Sequence, residues 1–175
     1  MTINTNAVWD DLRAPATGIN PPGQVSDPDW DTTKLGWLFA AGTPELIHII
    51  VQLPHEWAIG TELRPHVHWE KSTSAAGDVL WQIAYQWTGH GEARTAEATL
   101  SSATAVIASD VADIQQITPL GVIDGAGRSI SDMLLIKLTR ETGDVADTYG
   151  ADARLLEFDL HYQSDSGGSS AEFVK

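Results

Sequence analysis

The stretch Asp78-Val-Leu-Trp-Gln-Ile-Ala-Tyr-Gln-Trp87 decides the fold class. Val79, Trp81, Ile83, Tyr85 and Trp87 fall on one face, and Leu80, Gln82, Ala84 and Gln86 fall on the other. Successive side chains of an extended chain point to opposite sides, so this period of two predicts a strand with one face in a core. Arg154 to Gln163 repeats the pattern: Leu156, Phe158, Leu160 and Tyr162 on one side, Glu157, Asp159, His161 and Gln163 on the other. Both runs read as half-buried antiparallel strands.

Weaker alternation extends outward from these two anchors. It covers Lys34 to Ala41, Glu45 to Leu53, Thr61 to Glu70, Arg94 to Ile107, Gln116 to Ile123 and Ser131 to Arg140. Gly, Pro, Asp and Ser separate the runs, and only Asp110 to Gln116 offers a single helical turn. The expectation is an all-β domain over residues 34–163, a single jelly-roll-like antiparallel β-sandwich of about eight strands. Residues 164–175 read as a C-terminal tail, flexible through Ser164 to Ser170.

Residues 1–33 read as an extended, irregular N-terminal arm, broken by Pro15, Pro21, Pro22 and Pro28. Trp9 and Trp30 lie in it, and large aromatic anchors are scarce in segments that stay disordered. The arm is therefore expected to dock, either on its own domain or on a neighbouring subunit, with the neighbour preferred. Trp9, Arg13 and Trp30 are its candidate partner contacts.

The chain has 175 residues, 42% of them hydrophobic, which suits one domain with a core of its own. Ten Lys and Arg against 24 Asp and Glu give a net charge of −14, which repels a phosphate backbone and disfavours nucleic acid as a partner. The absence of Cys excludes disulfides, thiolate metal sites and a cysteine nucleophile. No apolar run is long enough for a membrane helix, and Met1 to Asp10 lack the basic and hydrophobic stretches of a signal peptide.

The segment Gly60-Thr-Glu-Leu-Arg-Pro-His-Val-His-Trp-Glu70 carries the most chemistry. On a strand His66 and His68 share a face with Glu62, Arg64 and Glu70, and two imidazoles so placed can grip one metal ion. A third ligand would come from His161, Glu157 or Asp159 if the two strands were neighbours. Gly60, His66 and His68 resemble the first half of the first cupin motif, but Glu70 follows the second His too closely and no second cupin motif is present. The bland reading, histidines on a solvated or interface-facing sheet, is the favoured one. A three-fold axis at this strand would offer another way to enclose an ion.

The remaining motifs are incomplete. His55-Glu56 lacks the second His of a zincin helix, and Gly125-Ala-Gly127 lacks the third Gly of a dinucleotide fingerprint and reads as a hairpin turn. No nucleophile elbow or phosphate-binding loop occurs. Glu157 and Asp159 suit an exposed strand better than a glycosidase pair. Trp69, Trp81 and Trp87 fall on apolar strand faces, which leaves Trp57, in the loop Pro54 to Gly60, as the exposed candidate for stacking on a glycan or a partner.

Leu53-Pro-His-Glu-Trp-Ala-Ile-Gly-Thr-Glu-Leu-Arg-Pro-His-Val-His-Trp69 resembles a family of tailed-phage virion proteins marked by Pro-His-x-His-Trp. The resemblance continues through Trp81 to Trp87, Gly125 to Met133, Leu155 to Gln163 and Glu172 to Lys175. It implies a jelly-roll structural protein without catalytic residues or cofactor, a capsid decoration or cement protein on the outer capsid surface, assembled in the host cytoplasm. The implied partners are the major capsid protein and further copies of the chain, with a homotrimer favoured by the three-fold junctions of shells. The other expectations are a cupin-like metal-binding protein or enzyme using His66 and His68, and a tail- or fibre-associated or glycan-binding module.

Overall fold

The structure, a computed structural model, describes residues 8–102 and 110–172. Part of the expected strand Arg94 to Ile107, the first seven residues of the arm and the end of the Glu172 to Lys175 motif lie outside the described residues.

Eight of the described strands fall on the expected runs, one to each, with β5, β6 and β10 running a residue past them. They are β3 (Gly36–Phe39), β4 (Glu45–Gln52), β5 (Arg64–Lys71), β6 (Trp81–Thr88), β7 (Ala98–Ser101), β8 (Gln116–Pro119), β9 (Met133–Arg140) and β10 (Ala153–Ser164). One sheet has the order β3-β10-β5-β8 and the other β4-β9-β6-β7, all pairings antiparallel. The chain therefore pairs from its ends inward: β3 with β10, β4 with β9, β5 with β8 and β6 with β7. A long hairpin rolled up so that successive pairs alternate between two sheets is the jelly roll. The helical turn considered for Asp110 to Gln116 is an ordinary turn.

The arm differs from its expectation. Val8–Pro15 is strand β1, paired along β10 from Val8 opposite Ser164 to Pro15 opposite Glu157. A 3-10 turn, Ala16–Gly18, follows, and β2 (Asp29–Asp31) flanks β3. The arm thus docks on its own domain and widens the first sheet to six strands, so ten strands replace the expected eight. Pro15 closes β1 at its last residue, where the lost N–H matters least. Leu12 and Ala14 face inward and pack on the core, and the Trp37 indole N–H donates to the Ala16 carbonyl at 3.0 Å.

The core fills the space between the sheets with Trp57, Trp69, Trp81, Trp87, Phe39, Phe158 and the aliphatic residues of β4 and β9. Phe39 meets Trp81 edge-on with ring centroids 5.0 Å apart, a favourable geometry for aromatic pairs. Alternation in β6 holds as expected, with Tyr85 half-buried. In β10 a bulge between Leu155 and Glu157 resets the parity. Leu155, rather than the expected Leu156, joins Phe158, Leu160 and Tyr162 in the core.

Candidate functional site

β10 is the longest strand and pairs with β5 on one side and β1 on the other, so three strands lay their outward residues on one surface. The register sets His66 opposite Asp159, His68 opposite Glu157 and Arg64 opposite His161. Across the other edge Asp159 lies opposite Arg13, and His161 opposite Asp11. The sequence expectation that His66 and His68 share a face with Arg64 and Glu70 holds, and β10 supplies the neighbour that spacing alone leaves open.

At the centre, the Nε2 atoms of His66 and His68 are 3.0 Å apart. Asp159 Oδ2 lies 3.2 Å from His68 Nε2 and 3.6 Å from His66 Nε2. Although these residues sit on the outward side of a sheet, His66 is only 5% exposed and Asp159 only 4%. Asp159 Oδ1 is buried without a hydrogen-bond partner. Burial and the nearby Glu157 push the Asp159 carboxyl up to about 6, against the pull of His68. Burial pushes the His66 imidazole down, and the facing His161 and His68 push the same way.

The other candidate ligands are engaged elsewhere. Glu157 accepts two hydrogen bonds of 2.7 Å from the Arg13 guanidinium. His161 packs beside His66 with centroids 4.3 Å apart, but its Nε2 is 2.9 Å from Asp11 Oδ1. Asp159 is therefore the residue that completes a cluster with His66 and His68, its ligand atom and theirs within 4.8 Å of one another. Gln115, in the loop before β8, adds a contact that sequence reasoning missed: its amide is 2.6 Å from His68 Nδ1. No local pattern marks Gln115, because only the β5–β8 pairing brings that loop to His68.

The surface around this cluster is bordered by apolar side chains. Ile117 on β8 lies opposite His68 and is exposed, and Val111, Ile114 and Val122, in the segments before and after β8, are exposed as well. On β1, Trp9 is 44% exposed, with the Arg64 guanidinium 4.7 Å from its ring centre. Arg13 is exposed, with its guanidinium held by Glu157. Trp30 is half-buried edge-on against Trp37 at 4.7 Å.

Trp57 corrects an expectation. It is fully buried, its loop fastened to the end of β10 by the Ala58 N–H donating to the Gln163 carbonyl at 2.7 Å. A ring enclosed in the core offers no platform for a glycan or a partner. Gly125 explains part of the enclosure: a Cβ there would stand 2.7 Å from the Trp57 ring and 2.0 Å from the Thr61 carbonyl oxygen. The Gly125 to Arg128 segment is a turn, closed by the Arg128 N–H on the Gly125 carbonyl at 3.1 Å, but it lies in the connection from β8 to β9, strands of different sheets, and is not the expected hairpin turn. His55 lies between the hydroxyls of Ser169 and Ser131, at 2.6 and 3.3 Å.

Among the described residues, no helix is long and apolar enough to cross a membrane. No protein-family model and no curated protein matches the chain. Among solved structures it is similar to dimeric latent PorU from Porphyromonas gingivalis, with 13% identity and a TM-score of 0.41 over 91% of this chain. It is also similar to the xylanase 10B CBM22-1-GH10 modules of Clostridium thermocellum complexed with xylohexaose, with 9% identity and a TM-score of 0.40 over 94% of this chain. The chain spans 13% and 27% of the length of those two proteins.

Proposed function

We propose that the chain is a non-enzymatic structural protein of a tailed-phage particle, a decoration protein that binds the outer capsid surface and stabilises the head. The observation that supports this reading best is the outward face of the six-stranded sheet. Exposed Ile117 borders it at β8 and Trp9 borders it at β1, on a chain whose net charge is −14. Apolar side chains gathered at a sheet edge suit burial against another protein. The partner proposed is the major capsid protein, in keeping with the resemblance of Leu53 to Trp69 to the Pro-His-x-His-Trp virion proteins, and the indole-filled sandwich suits a scaffold that carries contacts on its outside.

In this role each copy adds modest buried area across a boundary between capsid subunits. Repetition over a shell, and association into a homotrimer at three-fold junctions, turn modest contacts into high avidity against expansion of the head. Contacts come from the β8 border and from the arm at Trp9 and Arg13, with Trp30 beside them.

The test mixes the untagged protein with purified capsids of the phage that encodes it, and measures mass before and after. Saturation at a fixed ratio, little weakened by salt and strongly weakened by Ile117→Lys, supports the reading, because apolar anchors are not screened. Absence of binding to capsids overturns it, and binding to isolated tails instead moves the protein to the tail.

A further inference from the structure

We propose that His66, His68 and Asp159 bind one divalent first-row transition ion, of which zinc is the type, on the outward face of the sheet between β5 and β10. The first ground is the spacing of the donor atoms. Ligands about 2.0–2.2 Å from a common ion in tetrahedral or octahedral geometry lie about 3.0–3.6 Å from one another. The three separations here are 3.0, 3.2 and 3.6 Å, the edges of a triangle that one ion can cap.

The second ground is that protons alone leave the cluster unfinished. Two Nε2 atoms facing each other at 3.0 Å share at most one hydrogen when both rings are neutral. Asp159 Oδ1 has no partner at all while buried with its residue 4% exposed. A buried carboxylate in that condition costs free energy in the absence of a cation. A divalent ion supplies the missing positive charge and engages both Nε2 atoms and Asp159 Oδ2 at once, and it reaches Oδ1 where the carboxylate binds through both oxygens.

The third ground is the support behind the ligands. The Gln115 amide stands 2.6 Å from His68 Nδ1. The atom placed there is the amide nitrogen, Nε2; a flip of the amide would bring Oε1 to accept Nδ1–H and leave the His68 Nε2 lone pair for the ion, the arrangement that orients metal-bound imidazoles. Two nitrogens and one carboxylate oxygen suit zinc, iron(II), cobalt(II) or nickel(II) over calcium or magnesium, which prefer all-oxygen shells. Three protein ligands also leave the ion an exchangeable position.

The site stands apart from the capsid reading: a chain that binds zinc but no capsid keeps one and loses the other. The experiment titrates zinc chloride into the untagged, chelator-stripped full chain, and cobalt(II) as a visible-absorbing probe in a parallel sample. One ion per chain, with a cobalt spectrum showing nitrogen and oxygen ligands, is expected. His68→Ala and Asp159→Asn each lower the affinity by about a hundredfold or more, whereas His48→Ala on the opposite sheet leaves it unchanged. Circular dichroism checks that each variant folds. Failure of the wild-type chain to take up a stoichiometric ion overturns the proposal whatever the variants do. So does binding that survives in folded Asp159→Asn with undiminished affinity.

Discussion

Two buried polar clusters, built from similar materials, end in opposite conditions. At the end of β9, Arg140 lies on the inward parity with Leu134, Ile136 and Leu138 and is fully buried. Its Nε and Nη2 donate to the two oxygens of Asp147 at 2.9 and 2.8 Å. Nη1 donates to the carbonyls of Phe39 and Ala151, and Nη2 also to that of Tyr149. All five guanidinium hydrogens are used, and Asp147 additionally accepts from the Leu80 N–H. The His66, His68 and Asp159 cluster, by contrast, has a surplus of acceptors and one orphaned oxygen. A completed network holds the β9–β10 loop to the core, whereas an incomplete one at comparable burial reads as a site awaiting a ligand.

The comparison is most sharply broken by Arg140→Met. Removing one partner strands Asp147 and several carbonyls in the interior, and urea denaturation should show a loss of about 3–5 kcal/mol. Zinc should act in the opposite direction on the other cluster. At a free concentration near a hundred times its dissociation constant, the ion raises stability by about 2.7 kcal/mol, and a chelator reverses the gain. Zinc that leaves the melting curve unmoved would remove the contrast between the clusters.

A smaller effect is expected from Asp159→Asn in chelator. The wild-type carboxyl is pushed up to about 6 by burial, so above the ordinary carboxylate range the fold holds a proton that the unfolded chain releases. Stability from this group therefore falls as pH rises from about 4 to above 6, and the amide removes that fall. His66, pushed down by burial, acts oppositely, costing stability as pH drops below about 6.5. The difference between the two proteins isolates the carboxyl: an identical pH profile for both would refute its penalty. The smallest change belongs to the other sheet, where Lys137 pairs with Glu97 at 2.6 Å on an exposed surface. Lys137→Met should shift stability by less than about 1 kcal/mol.

Much of the architecture was legible in the chain. The alternation of Val79 to Trp87 and of Phe158 to Tyr162 placed the core faces correctly, and eight of the strands overlap runs where it appears. The arm was not legible, because Pro, Gly and Asp dominate residues 16–29 and the inward alternation before them shows only at Leu12 and Ala14, with Trp9 on the outward parity. Trp57 misled for a related reason: a loop without periodicity gives no inside or outside, and only its bridge to Ser164 turns the ring inward. Arg140 did leave a signal, a charge on the apolar parity of β9, which is the mark of a cation that finds its partners in the interior.

His66 and His68 face the same way because alternation along an extended chain is a local property of tetrahedral carbon and planar peptides. Their company is another matter. Asp159 stands 93 residues beyond His66 in sequence (159 minus 66) and reaches it through the β5–β10 register. The bulge after Leu155 decides which parity of the strand looks outward on each side of it. Pairing and register emerge from closing long loops and filling a common core, quantities that no single segment contains. Local chemistry thus chose the two imidazoles, and the rolled-up topology chose the carboxylate, the amide of Gln115 and the burial that makes the cluster reactive to a cation.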